Sequence, residues 1–224
     1  LSPAAPAPFA PTAYAAALLQ VLRAQAPTLR LDDVLELGVG SGVVLAQLLE
    51  LGARRALGVD IEPAAVQATR ALLAGLGHGE RAELRQGDLW APCAGRRFDL
   101  IACNPPQFPL QAPLADGRLP SWSSGGADGR ALIEPFLQGL PAHLKPGGRA
   151  FMTHNAFVGL ARTEQQLAAL GLRSRVASTV CLPLPLSKLQ GLDPALLQDP
   201  SRQGLSRLGP HAFAEFHVLD IGPA

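Results

Sequence analysis

An apolar run that ends in closely spaced glycines and resumes as an amphipathic helix is the feature that most narrows the folds open to this chain. Val34-Leu35-Glu36-Leu37 leads into Gly38-Val39-Gly40-Ser41-Gly42, and residues 43–51 then carry helical spacing. Glycines let a backbone turn through left-handed conformations and let a ligand lie close against it. The pattern is not a phosphate loop of the G-x-x-x-x-G-K-[ST] kind, because no Lys follows. Nor is it the dinucleotide fingerprint G-x-G-x-x-G, because position 43 is Val. By itself the turn is also open to a plainer reading, a tight strand-to-helix connection.

The same alternation continues along the chain. Helical spacing is predicted over residues 11–24, 43–51, 63–76, 128–144 and 162–170, the fourth interrupted near Pro135 and Pro141. Strands are predicted over residues 33–37, 56–60, 82–86, 98–103, 149–154, 172–181 and 212–221. Residues 107–127 form a long loop, of the length usually reserved for function. Residues 182–210 read as an irregular excursion. Alternating strands and helices predict an α/β fold with a doubly wound, mainly parallel sheet. Such sheets bind ligands beyond the carboxyl ends of their strands. The glycine turn, Asp60, Asp88 and Asn104 all fall at those ends.

The chain has 224 residues, 48% of them hydrophobic and 17% charged, which suits one globular domain. Residues 11–224 are read as that domain and residues 1–10, rich in Pro and Ala, as a linker or the remnant of an upstream segment. The start at Leu1 instead of Met leads us to expect that something upstream was removed or that the domain was excised. The formal net charge is +1 with no Lys/Arg run, so a nucleic-acid partner is possible but not favoured. Cys93, Cys103 and Cys181 form no C-x-x-C pair, which points to a reducing, cytoplasmic setting and away from a zinc site. No stretch is long enough to span a membrane, and residues 14–22 lack the basic flank of a signal peptide.

Residues Asn104-Pro105-Pro106 close the apolar run 98–103. Two prolines fix the backbone and remove two donors. The tip of a buried strand thereby presents a carboxamide and an unpaired carbonyl. That device suits holding an –NH2 group still while its nitrogen reacts.

With these residues in view, the chain resembles the class I S-adenosylmethionine-dependent methyltransferases. The resemblance covers roughly residues 11–180 and the last strand. Within that superfamily it is similar to the branch carrying an (Asn/Asp)-Pro-Pro-(aromatic) motif, whose members methylate amide or exocyclic nitrogens. The segment Gly125-Gly126-Ala127-Asp128-Gly129-Arg130 is most like the HemK-type glutamine N5-methyltransferases. The resemblance implies a Rossmann-like, seven-stranded sheet in the order 3-2-1-4-5-7-6 with the last strand antiparallel. It implies methyl transfer to a nitrogen of a protein side chain or small molecule. The alternatives are a ribosomal RNA guanine-N2 methyltransferase domain and a small-molecule enzyme acting on another atom.

The resemblance also assigns roles. Gly38, Val39, Gly40 and Gly42 would pass beneath the amino-acid part of S-adenosylmethionine, or of its product S-adenosylhomocysteine, with Glu36 serving the ammonium or the turn. Asp60 would take the ribose hydroxyls, unless it only caps the helix that follows. Ile61 would pack on the adenine. Asp88 would accept from the adenine amino group beside Leu89, unless it is only a turn residue. Asn104 and Pro105 would orient the acceptor nitrogen next to the cofactor, and Pro106 would line the acceptor site. The family's aromatic position is Gln107 here, so either Phe108 takes over stacking or Gln107 reads a polar group. Trp122 would cap the site or belong to the core or surface. His154 would face the acceptor or be structural, and Trp90 and His217 are read as structural.

Overall fold

The computed structural model describes residues 10–109, 124–185, 189–190, 192 and 204–224. Most of the expected linker, most of the long loop including Trp122, and much of the 182–210 excursion lie outside the described residues. Among the described residues the strands form an eight-stranded sheet in which residues 82–86, 55–60, 33–37, 98–103, 144–155, 211–223 and 172–184 follow one another, with 205–208 paired to 211–223. Two compact units divide the chain, residues 1–103 with 142–151 and residues 104–141 with 152–224.

The first unit begins with α1 (Ala13–Gln25), capped where the Thr12 side chain accepts from the Ala15 amide. Next come β1 (Asp33–Leu37), α2 (Val43–Glu50), β2 (Arg55–Asp60), α3 (Pro63–Gly75), β3 (Ala82–Gln86) and β4 (Phe98–Cys103). β1 pairs in parallel with β2 and β4, and β2 with β3. Parallel strands covered on both faces are apolar throughout, and all six residues of β4 are buried. At the edge, β3 is largely exposed and carries Glu83, bound to Arg85 and Arg96. Charges of that kind discourage pairing with another chain.

An ionic cluster that spacing did not reveal fixes the amino ends of these strands. Lys145 Nζ lies 2.8 Å from buried Asp99 and also binds Asp33, while Arg55 Nε donates to Asp33 at 2.6 Å. The Arg55 hydrogen bond leads in holding the Asp33 carboxyl down at about 2.

The second unit contains most of α4 (Ile133–His143), the end of β5 (Leu144–Asn155), α5 (Leu160–Ala169), β6 (Leu172–Leu184), β7 (Leu205–Leu208) and β8 (His211–Pro223). β6 and β8 form a long antiparallel ladder from Leu172↔Pro223 to Leu184↔Ala212, with a register shift between Val176 and Ser178. α4 starts five residues later than its spacing predicts. Asp128 Oδ1 accepts from the Arg130 amide and Gly129 has φ 81°, so the chain turns there before it coils. Pro135 then falls in the first helical turn, where its missing N–H costs no helix hydrogen bond. β5 starts at Leu144 instead of residue 149, running through Pro146-Gly147-Gly148. β7, inside the stretch read as irregular, supplies the eighth strand. The order otherwise matches the expected one, with β8 in the place of the expected seventh strand. Among the described residues no helix is long and apolar enough to cross a membrane.

The glycine at position 58 tests the packing of the first unit. A Cβ there would lie 2.6 Å from Leu84, 2.7 Å from Leu45 and 2.8 Å from Val39. Gly58→Ala is expected to destabilise the protein by about 1–3 kcal/mol, the usual cost of overpacking. Urea unfolding measures this, and an unchanged midpoint would contradict the packing described.

Candidate active site

In the first unit, the end of β2 meets the glycine turn that follows β1. The Gly38 and Val39 amides both donate to the Val59 carbonyl, at 2.8 and 3.1 Å, which ties the turn to β2. Gly38 is exposed with φ 76°, and a Cβ there would meet nothing within 4 Å, so the space above it is open. Gly42 shares that φ, but its missing Cβ would lie 2.8 Å from Thr69. One glycine thus opens a surface and the other permits a close approach.

Asp60 is buried at the end of β2. Its Oδ2 accepts from Gly40 N and its Oδ1 from Glu62 N, each at 2.9 Å. The first residue before α3 is Glu62, which makes no side-chain cap. Asp60 therefore joins the glycine turn to the start of α3. Burial raises its pKa, opposed by the amide hydrogen bonds.

Glu36 lies beneath the turn and is 2% exposed. Its Oε2 has no hydrogen-bond partner, and burial raises its pKa well above the ordinary carboxyl range. An orphaned buried carboxyl oxygen is costly unless something arrives to satisfy it. Beside Asp60, Ile61 is 52% exposed, an apolar face at a strand end, with its carbonyl held by Gln86 Nε2 at 3.2 Å. Asp88 is exposed, and Leu89 is the one described non-glycine residue with positive φ, at 40°. Such backbone strain concentrates at functional sites. Trp90 stacks on His143 with ring centroids 4.3 Å apart.

In the second unit, half-buried Asn104 follows β4 directly. Its Oδ1 accepts from Thr153 Oγ1 at 2.6 Å. Gln107 is 2% exposed, and its carboxamide is bonded on both sides. Oε1 accepts from Asn155 N at 2.7 Å, and Nε2 donates to the Thr153 carbonyl at 2.8 Å. Gln107 is thus built into the interior instead of being displayed to an acceptor. Phe108 is likewise buried, its ring tilted against Phe157 at 5.5 Å. Pro105 is buried and Pro106 half-buried.

The glycine-rich segment packs on this loop. A Cβ at Gly125 would lie 2.8 Å from Gln107 Cα, and one at Gly129 would lie 2.5 Å from the Gln107 carbonyl. Arg130 is 2% exposed and donates to the Val158 carbonyl at 2.9 Å and to Thr163 Oγ1 at 3.0 Å. The segment therefore clamps the loop and ties it to the β5–α5 connection.

His154 points the other way from Thr153, as alternate residues of a strand must. It is fully buried, 2.8 Å from Thr163 Oγ1, and its Nδ1 has no partner. His217 sits 2.9 Å from Thr179 Oγ1 across the β6/β8 ladder.

Sequence reasoning missed Thr153 and the buried use of Gln107. Their partners lie 46 to 49 residues apart along the chain, and no local pattern announces them.

A protein-family model described as a methyltransferase domain matches residues 34–114. A Methanocaldococcus jannaschii protein, provisionally named a protein N5-glutamine methyltransferase, is 31% identical over 67% of this chain and 76% of its own length. A release factor glutamine methyltransferase of Cereibacter sphaeroides is 36% identical over 57% of this chain, which spans about half of that relative, 48%. Among solved structures, a T. thermophilus 16S rRNA N2 methyltransferase in complex with AdoMet and guanosine aligns with a TM-score of 0.60. That alignment has 18% identity and covers 96% of this chain and 44% of that one. It shows the fold and leaves the acceptor open.

Burial, and after it the charges of Arg130 and His217, pulls the His154 pKa from 6.5 down to about 3. Between those values the unfolded chain holds the extra proton, so this contribution to stability is complete above the unfolded pKa and is lost as pH falls toward 3. His154→Gln is expected to flatten unfolding free energy against pH below about pH 6, by at most about 1.4 kcal/mol per pH unit. Urea titrations at several pH values measure the slope, and identical slopes would contradict a buried neutral imidazole.

Proposed function

Because the chain belongs to the S-adenosylmethionine-dependent methyltransferases, in the family that includes the protein N5-glutamine methyltransferases, we propose that it methylates the side-chain amide nitrogen of a glutamine in a protein partner. The observation that carries this reading is the Asn104 carboxamide, half-buried directly after β4, followed by two prolines and bonded through its Oδ1 to the Thr153 hydroxyl.

The residues of the first unit fit the cofactor. The orphaned Glu36 oxygen suits its ammonium, directly or through water, and the open face of Gly38 with Val39, Gly40 and Gly42 suits its amino-acid backbone. The Asp60 carboxylate at the end of β2 suits the ribose hydroxyls. Exposed Ile61, with Asp88 and Leu89, suits the adenine. When bound, S-adenosylmethionine supplies a methyl carbon activated by its positive sulfur.

The chain's own contribution is positioning. An amide nitrogen is a poor nucleophile because its lone pair is delocalised. Asn104 Oδ1 and the Pro105 carbonyl each accept one N–H of the acceptor, which holds the nitrogen and favours the pyramidal form whose lone pair is free. The proton leaves after attack, so no general base is required. The low-dielectric surroundings of buried Pro105 and half-buried Asn104 strengthen these bonds. Three free thiols among the described residues support a reducing, cytoplasmic setting.

Calorimetric titration with S-adenosylhomocysteine, with NAD as control, tests the cofactor half. Micromolar binding of the first alone is expected, and Asp60→Asn is expected to weaken it about tenfold, the scale of one charge-assisted hydrogen bond. Asn104→Ala is expected to leave that affinity nearly unchanged while lowering turnover about a hundredfold or more, as loss of a preorganised hydrogen bond does. Full activity in Asn104→Ala would overturn the acceptor assignment.

A further inference from the structure

A carboxamide has two ends of opposite chemistry, and the neighbours of Asn104 decide which end faces where. The Asn155 amide can only donate, so the Gln107 atom 2.7 Å from it is the carbonyl Oε1. Gln107 Nε2 therefore turns toward Thr153, 2.8 Å from its carbonyl oxygen and 3.3 Å from its Oγ1, with Pro105 O also at 3.3 Å. On its other side Thr153 Oγ1 donates its single proton to Asn104 Oδ1, 2.6 Å away. Asn104 Nδ2 is left on the far side.

We propose that Gln107 and Thr153 are positioning residues that form a one-way relay, from the Asn155 backbone to Asn104, and lock the orientation of the Asn104 carboxamide. The proposal rests on the reading of Asn104 as the residue that holds the acceptor nitrogen. Position 107 is where the resemblance places an aromatic ring, and here a buried amide occupies it.

Three features make the relay rigid. Gln107, Thr153 and Asn155 are 2%, 0% and 1% exposed, so water does not compete for their hydrogen bonds. Gly125 and Gly129 pack against the Gln107 backbone closely enough to leave no room for a side chain. The polarity is set by a backbone N–H, which cannot reverse as a hydroxyl or an amide can.

The relay has a consequence for specificity. One lone pair of Asn104 Oδ1 takes the Thr153 proton, and the other stays available to an N–H donor. A half-turn of the carboxamide would present Nδ2 instead, which faces an amide N–H donor to donor and welcomes a carboxylate. Holding the amide in one orientation therefore selects a glutamine-like –CONH2 over a glutamate-like carboxylate.

The test uses the full chain labelled with 15N. The Asn104 side-chain signal is assigned by its loss in Asn104→Ala. In the wild type its order parameter is expected near the rigid-backbone value of about 0.85, falling below about 0.6 in Thr153→Val, which keeps the shape and loses the proton. Thr153→Ser restores the hydroxyl and is expected to restore the order. With a glutamine-containing peptide and labelled S-adenosylmethionine, Thr153→Val is expected to lose about tenfold in kcat, with S-adenosylhomocysteine affinity within about twofold of wild type. Thr153→Ser is expected to recover most of that loss. An unchanged order parameter in Thr153→Val, or an equal loss of order in Thr153→Ser, overturns the relay. If Asn104→Ala methylates the peptide at the wild-type rate, the acceptor reading falls instead, and the order parameter alone decides the relay.

Discussion

A strand can satisfy its backbone groups only as far as its ladder extends, and beyond the last rung each buried N–H must find another acceptor. The candidate site of this protein is built from side chains that solve that problem. Beyond β1, Gly38 and Val39 turn back to the Val59 carbonyl, and the next free amide, Gly40, finds Asp60. At the end of β5, the Asn155 amide finds Gln107. One such residue lies in each unit, Asp60 in the first and Gln107 in the second. Asp60 and Gln107 are thereby oriented by bonds that folding itself requires.

Buried polar atoms left unsatisfied sharpen the distinction between structure and function. Among the described residues these are Glu36 Oε2, Thr69 Oγ1, Asp99 Oδ1 and His154 Nδ1. Asp99 has the Arg30 guanidinium at 3.5 Å and Lys145 on its other oxygen, so its charge is balanced. Burial disfavours the charged form of the His154 ring, and Thr69 lies against Gly42. Glu36 is different, because it combines an unpartnered oxygen with a place under an open glycine turn. A cationic ligand would relieve both its desolvation and its missing hydrogen bond.

The sequence carried more of the fold than of the site. The strands at residues 33–37 and 98–103 were legible to the residue, because buried parallel strands are short apolar runs between turns. The start of β5 was hidden by Pro146-Gly147-Gly148, which read as a turn. β7 was hidden because Leu205–Leu208 is short and largely exposed, and its pairing to β8 depends on tertiary context. In the site, the glycines, Asp60 and the Asn-Pro-Pro loop stood out because their backbone chemistry is local. The buried bonding of Gln107 did not, since a lone Gln after two prolines says nothing of a threonine far along the chain. The parity of Thr153 and His154 was unreadable for a related reason. The end of β5 is buried on both faces, so the alternation that would distinguish one side from the other is absent.

The atom proposed to be methylated is the side-chain nitrogen of a protein glutamine. Incubating the protein with S-adenosylmethionine and a glutamine-containing peptide from a release factor, followed by fragmentation mass spectrometry, locates the transferred methyl group. One methyl group on the glutamine side-chain nitrogen is predicted, with none on the same peptide carrying glutamate at that position. Methyl transfer to another atom, equal methylation of the glutamate peptide, or methylation of ribosomal RNA with none of the peptide would contradict the account.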